Sequence, residues 1–281
     1  MRIFSGAVVK SVLVLAILAI AECAAAESCG KQTDAAIYQA GQKVLMLGER
    51  HGTNEFQQLA KEILCNLTKN KQLVILGLEM SHREQGKLND YLRSEGTVDD
   101  QRKFAETPFW TAPAAEQDGR RSKAMFSLIE SARQMRQAGL NIGIDAFDMD
   151  ADDILEPVIS DEGFIDGQRD LLMASHIGMR LLQFPNAIYF ALIGGIHASK
   201  LRGNRWNENY ASTAFLLGKH VKVHVISGSW VGGTVWNCFP KNNITSCEPL
   251  TLHREGHSVA DKGYDVQIKF GPLTISTPQV Q

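Results

Sequence analysis

Several features that would mark a specialised chain are missing from this 281-residue sequence. The charges nearly cancel, with a formal net of -2, so no broad positive field exists to hold a polyphosphate backbone and nucleic acid is not an expected partner. After residue 21 no apolar run approaches the ~20 residues that span a bilayer as a helix, so no stable membrane insertion of the mature chain is expected. No internal repeat or low-complexity tract is present, which argues against solenoids and disordered linkers. Cysteine is scarce, five in all, and lacks the CxxC spacing of structural zinc sites. No G-x-S-x-G elbow surrounds Ser199, so that serine lacks the setting of an activated nucleophile. What remains, 44% hydrophobic and 21% charged, is the composition of an ordinary globular protein.

The N-terminus has the layout of a secretory leader. Arg2 and Lys10 precede the apolar run Val12 to Ala21, and Ala24-Ala25-Ala26 gives the A-x-A pattern of a cleavage site. A signal peptide over 1–26 and a periplasmic or secreted mature protein are expected. Glu22 stands before Cys23, where a lipoprotein signal has a small residue. Cys23 leaves with the leader, so Cys29, Cys65, Cys238 and Cys247 remain, with three possible pairings in an oxidising compartment. Cys238 with Cys247 would staple a short polar loop, and Cys29 with Cys65 would pin the mature N-terminus to the first helix.

Two periodicities alternate along the mature chain. Val44–Leu47, Leu73–Leu78, Asn141–Ile144, Ala187–Ile193 and Val221–Ile226 are short apolar runs that read as buried strands. Between them lie helical stripes, one through Phe56, Leu59, Ala60, Ile63, Leu64 and Leu67, another through Met125, Leu128, Ile129, Ala132 and Met135. Strands apolar at every position, separated by helices, predict an α/β fold: a mostly parallel sheet with helices on both faces. Residues 82–122 read as a helical cap insertion and 229–281 as a small β appendage in which Gly232-Gly233 suits a hairpin turn. The core is expected over about 43–228, all within one domain over 27–281.

The unusual residues fall where these strands end, the edge at which open parallel sheets bind ligands. The first run closes on Glu49-Arg50-His51, the second on Glu79, the third on Asp145 with Asp148 soon after, and the fourth on Gly194-Gly195-Ile196-His197. Gly48-x-x-His51 and Gly194-x-x-His197 share one form, in which glycine permits a sharp turn and sets an imidazole over the sheet edge. Arg169 shares a helix face with Leu172, Met173 and His176, which places a guanidinium among inward-facing residues, where it needs a partner such as Glu79 or a bound anion. His176 reads as a hydrogen-bonded core histidine. Asp148 and Glu55 have the alternative of simple capping or loop roles.

These motifs resemble those of a known superfamily. Leu47-Gly48-Glu49-Arg50-His51-Gly52-Thr53-Asn54-Glu55-Phe56 is similar to the first motif of erythromycin-esterase-like proteins. Gly77-Leu78-Glu79, Gly143-Ile144-Asp145 and the helix Arg169–Ala174 resemble later ones, and Gly194–His197 resembles the closing motif of the wider clan, which includes ChaN haem-uptake proteins and TraB/Tiki proteins. The resemblance spans about residues 43–228. An extra residue between Gly-Glu and the histidine, usual in the esterases, is absent.

The leading expectation is a hydrolase that adds water to an ester or related acyl bond. His51 serves as general base, Glu49 or Glu79 orients it, and Arg169 and His197 face the developing oxyanion. Glu55, Asp145 and Trp110 are candidates for contact with a small-molecule substrate. The same His51, Glu79 and His197 offer a ligand set for a divalent metal, and the resembled clan includes metal-dependent Tiki peptidases. The ChaN branch implies instead a haem or iron carrier, with Tyr91, Tyr210 or a histidine as axial ligand and Phe109-Trp110 as an apolar wall.

Overall fold

The computed structural model describes Ile37, Asp153 and residues 41–69, 72–113, 116–150, 162–241, 244–260 and 262–280. The expected signal segment 1–26 and Cys29 lie outside these residues.

The five apolar runs form β1 (Val44–Glu49), β2 (Val74–Ser81), β3 (Ile142–Asp148), β4 (Ile188–Gly194) and β5 (Val223–Trp230). They lie parallel in the order β3-β2-β4-β1-β5. Successive side chains of a strand point to opposite faces. Leu45, Leu47, Leu76, Leu78, Phe190 and Leu192 enter one apolar cluster, whereas Val44, Met46, Ile75, Tyr189, Ala191 and Ile193 enter the other. Each face has its own helical cover, which is why the strands are apolar at every position.

One face carries α1 (Glu55–Thr68), α2 (Gln85–Arg93), α3 (Val98–Ala105) and α4 (Lys123–Gln137). The other carries α5 (Glu162–Gln183) and α6 (Thr213–Leu217). The two predicted stripes are the buried faces of α1 and α4. The cap insertion is α2, α3 and the loop before α4, where Ser122 accepts a hydrogen bond from the Met125 backbone N–H and starts the helix. No helix among the described residues is long and apolar enough to cross a membrane.

The C-terminal region departs from expectation. Gly232-Gly233 is not the hairpin turn: it redirects the chain from β5 into β6 (Gly233–Lys241), which pairs with β7 (Ile244–Leu252). A Cβ at Gly233 would lie 2.2 Å from the Leu273 carbonyl oxygen, and its φ of +120° suits glycine. Nor is everything after 229 an appendage. β8 (Gly256–His257) and β9 (Val266–Lys269) rejoin the central sheet beside β5, the first antiparallel and the second parallel. Among the described residues, β6 and β7 form a separate two-stranded sheet. Cys238 and Cys247 face each other across it in a disulfide, with 3.9 Å between Cα atoms. Cys65 is disulfide-bonded as well.

Candidate functional site

β1 and β4 are neighbours in register, with Glu49 opposite Gly194, so the two G-x-x-H turns leave the sheet side by side. The Gly195 N–H donates to the Glu49 carbonyl at 3.0 Å and ties the turns together. A Cβ on Gly194 would sit 2.9 Å from His51 Nε2, so only glycine leaves room for that imidazole over the strand end.

Each imidazole is held through Nδ1 by its own carboxylate. His51 Nδ1 lies 3.0 Å from Glu49 Oε1, and the other oxygen of Glu49 accepts from Gln57 on α1. His197 Nδ1 lies 3.0 Å from both oxygens of Asp170 on α5. Asp170 also accepts from the Tyr210 hydroxyl and from Thr213 through its backbone N–H and hydroxyl. Such partners fix the imidazole orientation and favour the tautomer with the proton on Nδ1.

The two Nε2 atoms converge on one carboxylate. Glu79, at 2% side-chain exposure, has Oε2 3.6 Å from His51 Nε2 and Oε1 4.0 Å from His197 Nε2. Its Oε2 accepts the Gly194 N–H at 2.6 Å, and its Oε1 is 2.7 Å from Arg169 and 3.4 Å from Arg120. Both guanidiniums also bind Asp148, at 2.7 Å from Arg169 and 2.6 Å from Arg120, and Arg120 pairs with Asp118. Arg169 further lies 3.2 Å from His197 Nε2, which accepts from it in this tautomer.

Burial and charge oppose each other throughout the cluster. Burial alone would push Glu79 up, but His51, His197, Arg169 and Arg120 together hold it far below the usual carboxylate range. At His51 burial favours the neutral ring, yet Glu49 and Glu79 outweigh it and raise the imidazole above its ordinary value. Arg120 and Arg169 are raised despite burial, Arg120 chiefly by Asp118 and Glu79 and Arg169 chiefly by Glu79 and Asp148. The His51 side chain remains 20% exposed, so solvent and a small molecule can reach it.

Of the residues expected from sequence, Glu49, His51, Glu79, Arg169 and His197 are thus brought together. Asp145, Glu55 and Trp110 are not among them. β3 runs on to Asp148, which leaves Asp145 within the strand, bonded to the Tyr189 hydroxyl, His176 and Arg180. Glu55 opens α1 and binds Thr274. Trp110 is buried among Phe104, Phe109 and Phe126. The tyrosines considered for haem are engaged too: Tyr91 stacks on Phe104 and donates to Glu130, and Tyr210 donates to Asp170. Sequence reasoning missed Arg120, Asp118, Asp170 and Gln57. Asp170 follows Arg169 directly and carried the one available signal, a second charged residue at the inward turn of an apolar helix.

The donor set does not suit a metal. Arg169 and the Gly194 N–H occupy Glu79, and Arg169 faces the outer nitrogen of His197. Among the described residues the group whose ligand atoms all lie within 4.8 Å of one another is His82, Asp150 and Asp153 instead. There Arg83 already pairs with both carboxylates.

No family model and no curated protein matches the chain. Solved structures do. A mutant of the erythromycin esterase EreC in its open conformation aligns with a TM-score of 0.57 at 13% identity, covering 76% of each chain. A succinoglycan biosynthesis protein aligns with a TM-score of 0.64 at 9% identity over 85% of this chain and 90% of its own. A Bacillus cereus protein aligns at 0.57 and 11% identity over 85% and 91%. The chain therefore shares the fold of these structures, an erythromycin esterase among them.

Proposed function

We propose that the protein is an exported hydrolase that adds water to an ester or related acyl bond. The observation that carries this reading is the pair of atoms His51 Nε2 and Glu79 Oε2, 3.6 Å apart. One water can hydrogen-bond to both, with Glu49 behind the imidazole and two guanidiniums beside it. His51 takes a proton from that water as its oxygen bonds to the carbonyl carbon, and Glu49 stabilises the resulting imidazolium. The negative charge that develops on the carbonyl oxygen meets Arg120 and Arg169, which are fixed before reaction by Asp148 and Glu79. Collapse of the tetrahedral intermediate breaks the ester bond, and His51 returns its proton to the departing oxygen. His197 orients Arg169 and is itself held by Asp170. The esterase among the structural neighbours supports this chemistry, and the Cys238–Cys247 disulfide supports an oxidising compartment.

The test is a panel of chromogenic esters offered to the mature protein and to His51→Ala. Turnover that falls at least about a thousandfold in the variant, with its fold intact, agrees with loss of a general base. Full activity in His51→Ala, or no ester turnover together with a strong visible band on adding haem, would overturn the proposal.

A further inference from the structure

Arg50 stands between the two residues of the Glu49–His51 pair, and its side chain is half-buried. Its Nε is buried and lacks a hydrogen-bond partner, and no carboxylate pairs with it among the described residues. Burial and the like charge of Arg205 both lower its proton affinity, and no carboxylate among the described residues offsets them. A half-buried guanidinium without a counter-charge costs stability unless a ligand supplies one.

The like charge it feels, Arg205, lines a cleft against Gly195, whose N–H bonds the Glu49 carbonyl just before Arg50. A cleft of about 640 Å³ is walled by Gly195 and Ile196, the middle of the turn that carries His197, and by Arg202, Arg205, Trp206 and His257. Glu208 is the one acidic residue on this wall. Arg205 likewise has no acidic partner among the described residues and lies over the Trp206 ring at 4.0 Å, while that indole is 69% exposed. An exposed aromatic plane with a guanidinium stacked on it suits a planar group that carries an anion.

We infer that Arg50 and Arg205 form an oxyanion-binding subsite beside His51, which takes a carboxylate or phosphate borne by the substrate while Trp206 receives an adjoining ring. The assignment rests on the hydrolase reading above and narrows it to anionic acyl compounds. Binding is tested apart from turnover, so a failed esterase assay leaves this result standing or falling by itself.

The experiment is isothermal titration of the full mature chain with benzoate, phenyl phosphate and neutral benzamide. One or both anions should bind at least about tenfold more tightly than benzamide, and the stronger one names the group. Arg205→Ala and Arg50→Met should each weaken that anion by about tenfold or more. Arg50→Met should also keep or raise Tm, because it removes a half-buried charge that has no carboxylate partner among the described residues. Equal affinity for benzamide and both anions, or anion affinity unchanged in both variants, overturns the subsite. A marked fall in Tm for Arg50→Met with anion binding retained would show that Arg50 is structural. If Arg50→Met does not fold, exposed Arg205→Ala decides alone.

Discussion

The backbone N–H of Gly194 donates to Glu79 Oε2 at 2.6 Å, so the turn that leads to His197 is tied to a carboxylate near the end of the adjacent strand. The same glycine leaves the space that His51 fills, since a Cβ there would meet His51 Nε2 at 2.9 Å and Glu79 Oε2 at 3.3 Å. Gly194→Ala is therefore expected to displace the imidazole by a few tenths of an ångström or more while the strand behind it stays paired. Ester turnover should fall by about a hundredfold, the scale on which small misplacements act. Steady-state kinetics alongside a thermal melt would check this, and unchanged kcat would show that the His51 position is not critical.

His51 has a raised pKa because Glu49 and Glu79 outweigh its burial. A general base works in its neutral form, so kcat/KM should rise with pH through a midpoint above the ordinary value of 6.5. Glu49→Gln removes the nearest anion and should move that midpoint downward. The stability consequence has the opposite slope: the raised folded pKa contributes fully below 6.5 and is lost as pH climbs through the folded value. Imidazole NMR titration of both proteins checks the midpoint directly, and a Glu49→Gln midpoint equal to the parent's would remove Glu49 from this role.

The parts of this site that were legible in sequence are those fixed by local chain geometry. A strand followed by G-x-x-H can set an imidazole over the sheet edge, and two such strands in one parallel sheet share that edge, so His51 and His197 could be paired on paper. Arg169 was visible because a guanidinium interrupts an apolar helix face. Arg120 and Asp118 carried no such signal. They come from an irregular loop whose path is set by a tertiary contact, Gly119 at φ +94° against the His51-Gly52 backbone, where a Cβ would lie 2.5 Å from the Gly52 nitrogen. Asp145 was misplaced for a related reason: Ala146 and Phe147 extend β3, so the strand end, and with it the carboxylate that reaches the cluster, is Asp148.

Glu79 is the shared counter-charge of Arg120 and Arg169, and Asp148 is the other. Glu79→Gln keeps the shape but removes the charge from a nearly fully buried position. Two guanidiniums would then depend on Asp148 and Asp118, and a loss of about 3 kcal/mol is expected, as when one partner of a buried pair is deleted. Urea unfolding at neutral pH measures it. A variant as stable as the parent would mean that Asp148 and Asp118 suffice.

Asp170 gathers His197, Tyr210 and both donors of Thr213. Burial raises its pKa, but His197 and these hydrogen bonds more than reverse that and bring it below 3.8. A depressed carboxylate contributes stability above its unfolded pKa and loses it as pH falls through the folded value. Asp170→Asn should therefore be destabilised at neutral pH, by about 2 kcal/mol for weakened charge-assisted bonds. The gap between variant and parent should close only below pH 3.8. Turnover should drop as well, because His197 would lose the anion at Nδ1 and its grip on Arg169. Unfolding curves across acidic pH carry the test: a gap that stays constant down to the acid transition would mean that packing around residue 170, and not its charge, accounts for the loss.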